Sequence, residues 1–373
     1  MASTCSLLLD LCLRGQPWSS ELLDRAIAED DGRALMSIVV EYLGDQFNPR
    51  LCNVYAGLFS DVIAQVCPEL VPRTRRAASI SYPWPEADRV YVLSRITLGA
   101  DVAVTSVLLD KAKRRYPSAE IVFAGPRKNY ELFEADPRIA HREIAYARGG
   151  SLRDRLEASA ALWFDGGLVL DPDSRLTQLG LIRVCPDDRY RFFESRSFGG
   201  DGNERLPDLA ARWADDPQAQ PYVAPRPASG PSADITVSLG VGENPAKRLD
   251  DACEHQLLQM LAETGASVLV DKGGSAAERD RVERAIPPGA QTHEGSFAHF
   301  AAEIARSNLF VGYDSAAGHV ASACGVPLIS IACGFASERM LARWRPKGTI
   351  VRGDRPDPLG EVRRALATYT FRR

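Results

Sequence analysis

The stretch PYVAPRPASGP at 221–231 holds four prolines. Proline fixes φ and removes a backbone donor, so neither a helix nor an inner strand continues through it. On each side of it, short apolar runs alternate with helical patterns. Before it, the pattern predicts strands at 89–94, 120–124 and 168–170, and helices at 101–116, 129–134 and 152–162. After it, predicted strands at 234–239, 267–270, 309–311, 328–331 and 349–351 alternate with helices at 251–263, 276–285, 297–306, 316–324 and 358–367. This β-α-β rhythm implies an α/β protein whose sheets are parallel and covered by helices on both faces. The expectation is two Rossmann-like units in series, joined by a semi-rigid proline hinge. Such a pair makes a cleft, and ligands in these folds sit at the carboxyl ends of the strands.

The first 88 residues follow another pattern. Apolar residues recur at three and four over 21–28, 34–43 and 52–66, which predicts an extra N-terminal helical segment. It ends in a breaker-rich stretch, 71–88, with Pro72, Pro83 and Pro85. The division read from sequence is therefore a helical extension at 1–88, a Rossmann-like domain at 89–228 and a second at 229–373.

Charge narrows the possible partners. The 373 residues carry 45 basic and 49 acidic side chains, net −4, without the basic excess of a nucleic-acid binder. The extension holds 12 acids against 7 bases, which argues against docking on an anionic membrane surface. No apolar run approaches the roughly 18 residues of a membrane span. The opening MASTCSLLLDLCLRG has no basic residue before its apolar stretch and is broken by Asp10, so it does not read as a secretory leader. Eight cysteines form no C-x-x-C pair and no zinc spacing with histidine, and are expected to be reduced, mostly buried thiols in a cytoplasmic protein.

Two segments can carry chemistry. In LFVGYDSAAGHVASACGVP, 309–327, a strand runs through a small-residue turn into a helix starting at Ala316, Ala317 and Gly318. Small side chains let an anion approach free backbone N–H groups, and the helix dipole favours it. Ser315 is placed to cap the helix or bond a phosphate oxygen, and His319 to donate one turn in. The plain alternative is an ordinary strand–turn–helix capped by Asp314 or Ser315. In SLGVGENPAKR, 238–248, Gly240 and Gly242 allow a tight turn before Lys247 and Arg248. Only 6 of the 45 basic residues are lysine, so Lys247 stands out, though alone it reads as a solvated cation rather than a ligand, and it gains weight only beside the 309–327 segment. It is neither a P-loop nor G-x-G-x-x-G.

In this order the two segments resemble glycosyltransferase family nine, the bacterial heptosyltransferases that use ADP-heptose. Ala246-Lys247-Arg248 is similar to that family's Lys-Arg pair, and Asp314-Ser315-Ala316-Ala317-Gly318-His319 with Ala323-Cys-Gly-Val-Pro327 to its helix start, Ala316 standing where the family has glycine. Leu98-Gly-Ala-Asp101-Val-Ala-Val-Thr105-Ser-Val-Leu-Leu109 resembles its N-terminal opening, with Val107 in place of a proline. The resemblance spans about 89–351. It implies a GT-B fold and an inverting, metal-independent sugar transfer that needs no cofactor, the nucleotide-sugar being a substrate. Lys247, Arg248, Asp314, Ser315, Ala316, Ala317, Gly318 and His319 would hold the donor, and Asp101 would be the base that deprotonates the acceptor hydroxyl. The alternative for Asp101 is a helix-start carboxylate satisfying the dipole.

Asp171-Pro-Asp173 spells D-x-D, a spacing that can clamp a divalent ion on a nucleotide. It lies far in sequence from the phosphate-type loop and is read as a strand end. Arg175 nearby could meet an anionic acceptor, while His141, His255, His293 and His299 are read as structural or surface residues. The expected partners are a nucleotide-sugar donor and a carbohydrate, lipid-linked or small-molecule acceptor. Peripheral membrane contact stays open. The competing functions are a nucleotide-sugar epimerase and a non-catalytic nucleotide-binding scaffold or sensor on the same fold.

Overall fold

A computed structural model describes residues 3–75, 83–146, 149–242 and 244–370. Part of the 71–88 stretch, residues 76–82, and Glu243 of the second chemical segment lie outside them. By packing, the chain forms two compact units. The first is Met1–Thr97, Val107–Arg127 and Arg138–Ala219, and the second is Leu98–Ser106, Lys128–Pro137 and Gln220–Arg373.

The first unit opens with α1 (Thr4–Arg14), α2 (Ser20–Ala28), a π-wound turn at Leu35–Val40 running into α3 (Glu41–Asp45), and α4 (Pro49–Val66). Local chemistry sets these ends. Ser3, Ser19 and Asn48 accept first-turn N–H groups, and Pro49 takes a position where its missing N–H costs nothing. Helix α1 lies where the sequence showed only an apolar stretch. The extension has its own core, in which Leu8, Leu23, Val39, Leu58, Phe59 and Val62 pack with Leu152, Leu156, Leu181 and Ile182 from much later in the chain. Arg73 fastens its end, donating to the carbonyls of Ala160 (2.7 Å), Leu162 (2.6 Å) and Arg183 (2.9 Å).

The first sheet follows: β1 (Arg89–Leu93), β2 (Glu120–Gly125), β3 (Ile139–Glu143), β4 (Leu168–Asp171) and β5 (Tyr190–Phe192). All pairings are parallel and the order is β3-β2-β1-β4-β5. Strands β3 and β5 carry His, Arg and Glu in short runs, so the apolar pattern missed them. Between β1 and β2 come α5 (Leu98–Ala100), a π-wound turn at Asp101–Thr105 and α6 (Ser106–Arg115). The helix expected to begin at Asp101 thus starts earlier and is overwide at that residue. After β2 comes α7 (Arg127–Tyr130), two residues before the expected start, then α8 (Leu152–Ala160) and α9 (Leu206–Trp213).

The second unit contains β6 (Ile235–Ser238), α10 (Asp251–Ala262), β7 (Val268–Asp271), α11 (Ala276–Ala285), β8 (Gln291–His293), α12 (Phe297–Ile304), β9 (Leu309–Tyr313), α13 (Ala316–Ala323), β10 (Leu328–Ala332), α14 (Glu338–Trp344), β11 (Thr349–Arg352) and α15 (Pro358–Leu366). Its six strands are parallel in the order β11-β10-β9-β6-β7-β8. This is the doubly wound Rossmann order, and the chain reverses direction across the sheet between β6 and β9. The proline stretch is bonded rather than loose: Ala224 donates to Leu132 O at 2.7 Å and accepts from Ala135 N at 2.8 Å.

Candidate functional site

Strands β6 and β9 are neighbours, so the segments leaving their carboxyl ends meet at the switch point, where ligands of such sheets bind. After β6, Asn244 caps a short turn at Pro245–Lys247 by accepting from Ala246 N at 3.1 Å. That turn aims Lys247 at the other segment: its Nζ lies 3.5 Å from Asp314 Oδ2. A third segment buttresses the turn. Gly334, after β10, has φ +60°, and a Cβ there would stand 2.3 Å from Ala246 O.

After β9, Asp314 and Ser315 lead into α13. Ser315 occupies the cap position in extended conformation, yet its side chain bonds no N–H of the helix. The first-turn N–H groups of Ala316, Ala317 and Gly318 have no partner within the helix by its geometry. His319 is buried, its ring edge-on to Trp344 with centroids 5.9 Å apart. Burial pushes the imidazole below its ordinary pKa, Asp314 pulls it up and Lys247 pushes it down. It is therefore neutral near pH 7, able to donate one hydrogen bond without adding charge. A lysine, a helix N-terminus and a neutral imidazole are groups that can hold an anion such as a diphosphate.

The rest of the sequence-derived set is arranged differently. Arg248 turns away from Lys247, with Nε 3.0 Å from Glu254 Oε1 and Nη2 on Asp251. The segment bearing Asp101 packs on α13: a Cβ at Gly99 would stand 3.1 Å from His319 Cδ2 and 3.2 Å from Ala316 Cα. Asp101 itself is completely buried. Its Oδ1 accepts from Thr105 Oγ1 at 2.6 Å and its Oδ2 from Asn129 Nδ2 at 2.6 Å. Thr105 reaches it across one turn of the π-wound segment, a geometry often found at functional positions.

Asp171 and Asp173 are both engaged within the chain. Asp171 accepts from Ser174 N, Thr177 Oγ1 and Tyr190 Oη, and burial pushes its carboxyl up to about 6. Asp173 accepts from Ser195 Oγ at 2.7 Å and meets Arg196 Nη1 at 3.0 Å. Among the described residues no group of three or more His, Cys, Asp or Glu side chains is placed to hold a metal ion. No described helix is long and apolar enough to cross a membrane. All eight cysteines are free, six of them buried. His293 pairs with Asp271 and His299 at 3.1 and 3.3 Å.

Several residues that shape the site were missed in the sequence. Glu278 ties the segment after β7 to that after β6, accepting from Gly274 N at 3.1 Å and Val241 N at 3.3 Å. Its signal was readable as the capping box Ser275-x-x-Glu278. Asn129, Glu254 and Trp344 had no local signal, because each acts on a residue distant in sequence.

Residues 188–360 match the family model described as "Glycosyltransferase family 9 (heptosyltransferase)". This chain carries a family 9 glycosyltransferase domain. Its fold is that of solved heptosyltransferases. E. coli heptosyltransferase WaaC, in complex with ADP-2-deoxy-2-fluoro heptose, superposes with a TM-score of 0.54 at 16% identity, over 75% of this chain and 99% of that one. E. coli ADP-heptose LPS heptosyltransferase II gives 0.51 at 17% identity, over 75% and 98%. The family 9 glycosyl transferase from Veillonella parvula DSM 2008 gives 0.51 at 13% identity, over 80% and 92%. No curated protein matches the sequence. At such identities the structural likeness shows the GT-B fold, and the family 9 domain supplies the enzyme class, a glycosyltransferase.

Proposed function

We propose that this glycosyltransferase is inverting and metal-independent, moving a sugar, with heptose as the leading candidate, from an ADP-linked donor to an acceptor hydroxyl. The observation that carries the reading is the convergence of Lys247, Asp314 and the start of α13 at the β6/β9 switch point. The related WaaC structure holds an ADP-heptose analogue, which supports ADP as the nucleotide. The acceptor oxygen attacks the anomeric carbon as the bond to the diphosphate breaks, and one displacement inverts the centre. Lys247, the α13 N–H groups, Ser315 and His319 take up the charge that develops on the leaving ADP. Asp101 receives the hydroxyl proton. No cofactor is needed, because the nucleotide-sugar is itself the substrate. In this reading residues 229–373 bind the donor, 89–228 face a carbohydrate, lipid-linked or small-molecule acceptor, and the protein works in the cytoplasm.

The test is a thermal-shift panel of ADP, UDP, GDP and dTDP with EDTA present. A selective ADP shift that disappears in Lys247→Ala supports the proposal. A shift with another nucleotide replaces the donor, and no shift with any of them defeats it. One observation favours a second reading, a nucleotide-binding protein without turnover: Asp101 is completely buried, with both carboxylate oxygens bonded inside the chain. Product formation by the unaltered chain from donor and acceptor decides between them, and Asp101→Asn then tests the base. Loss of turnover with ADP binding intact favours the base, and unchanged turnover removes that role.

A further inference from the structure

Arg248 reads in the sequence as half of a cationic pair facing the donor, but its guanidinium points to Glu254 on α10. Glu254 has no exposed surface. Its Oε1 accepts from Arg248 Nε at 3.0 Å and from Tyr313 Oη at 2.8 Å. Its Oε2 accepts from Arg248 Nη2 at 3.1 Å and from Arg281 Nη1. Four donors use the four lone-pair positions a carboxylate offers. The same network reaches further. Arg281 Nη2 holds Leu239 O at 2.8 Å, and Leu249 N donates to Tyr313 Oη at 3.0 Å.

These bonds converge on loops rather than on the apolar core. Leu239 begins the segment after β6, Arg248 and Leu249 end it, and Lys247 lies between. Tyr313 is the last residue of β9, next to Asp314. We infer that Glu254 is a positioning residue that locks the Lys247 loop and the Asp314–Ser315 turn to one another, and that Arg248 acts through Glu254 rather than by touching the donor. Arg248 and Arg281 are balanced by Glu254 and Asp251, so the cluster neutralises itself and leaves the charge of Lys247 to Asp314 or to a ligand. A loop with glycines at 240 and 242 loses conformational freedom when it is ordered, and a buried carboxylate that gathers both its ends supplies the restraint in advance. The inference rests on the diphosphate role of Lys247 for its consequence and on the geometry alone for the coupling.

The experiment uses the full chain and has two arms, hydrogen exchange without ligand and calorimetric titration with ADP. Glu254→Gln risks the fold, because it leaves the buried Arg281 and the partly buried Arg248 without their shared carboxylate. Tyr313→Phe removes one hydroxyl and keeps the ring. In Tyr313→Phe the amides of 239–249 and 314–318 are expected to exchange at least tenfold faster, with the central strands unchanged, and ADP to bind at least fivefold more weakly. Arg248→Gln combined with Glu254→Gln is expected to bind ADP no more weakly than Glu254→Gln alone. Unchanged exchange in both segments overturns the coupling. Multiplying losses in the double variant show that Arg248 touches the ligand itself, which overturns its assignment. If exchange responds as expected while the unaltered chain binds no ADP, the coupling stands and the diphosphate reading fails.

Discussion

Gly334 illustrates how little room the site leaves for change. Its φ of +60° is left-handed, and the nearest atoms to an added Cβ belong to the backbone of Ala246, at 2.3 and 2.6 Å. Backbone cannot swing aside as a side chain can, so Gly334→Ala displaces the Pro245–Lys247 turn. The expected result is a destabilisation of about 1–3 kcal/mol by urea unfolding, together with weaker ADP binding. His319 gives a prediction with a sign. Its folded pKa lies below the ordinary value of 6.5, so the unfolded chain binds the proton more readily. The stability it contributes is fully present above about 6.5 and is lost as pH falls through the folded value. Urea midpoints at pH 5 and 7.5 are expected to differ more for the unaltered chain than for His319→Gln. An equal difference would refute the assignment. Lys247 and the residues from Asp314 to His319 were legible because they lie on one contiguous strand–turn–helix signal and one glycine-rich turn. The direction of Arg248 was not legible, because its partner lies on the following helix and that helix's place is set by packing.

The N-terminal helices and the segment after β4 show the same at the scale of elements. Helix α4 was visible as an amphipathic period over 52–66, while its start at Pro49, capped by Asn48, came only with the structure. What it packs against was not visible, since Leu152, Leu156, Leu181 and Ile182 belong to later segments. This shared core predicts that deleting residues 3–75 leaves those leucines uncovered and yields an insoluble chain, as sedimentation of expressed protein would show. Phe59→Ala, at a fully buried position, is expected to cost about 3–5 kcal/mol. Strand β4 makes a pH prediction opposite to that of His319. Burial raises the carboxyl of Asp171 from 3.8 to about 6, so the folded state binds its proton more tightly. The resulting stabilisation is complete below 3.8 and lost as pH rises through about 6. The change amounts to about 3 kcal/mol. Stability measured for Asp171→Asn should therefore gain on the unaltered chain by that amount between pH 4 and 7.5. A gap that does not move with pH would show that Asp171 stays ionised throughout.

The whole molecule consists of two compact units, and the aromatic residues offer a way to watch them separately. Of the five tryptophans, Trp18, Trp84, Trp163 and Trp213 belong to the first unit and Trp344 to the second. Trp344 lies against His319, so ADP binding is expected to change the fluorescence of a chain whose other four tryptophans are replaced by phenylalanine. Saturating ADP, at about 100 times its dissociation constant, should add about 2.7 kcal/mol to the unfolding transition that Trp344 reports. Sequence alone determined the α/β class, the parallel sheets, the helical character of the extension and the strand–turn–helix that starts α13 at Ala316. All of these follow from local periodicity, backbone chemistry and short motifs, which act over a few residues. Only the tertiary structure decided that 98–106 and 128–137 pack with the second unit and that Asp101 is sealed by Asn129. The same holds for Glu254, which gathers both loops of the site. These facts depend on which distant segments share a core, and the hydrophobic effect that brings segments together is non-directional, so no local pattern records its outcome.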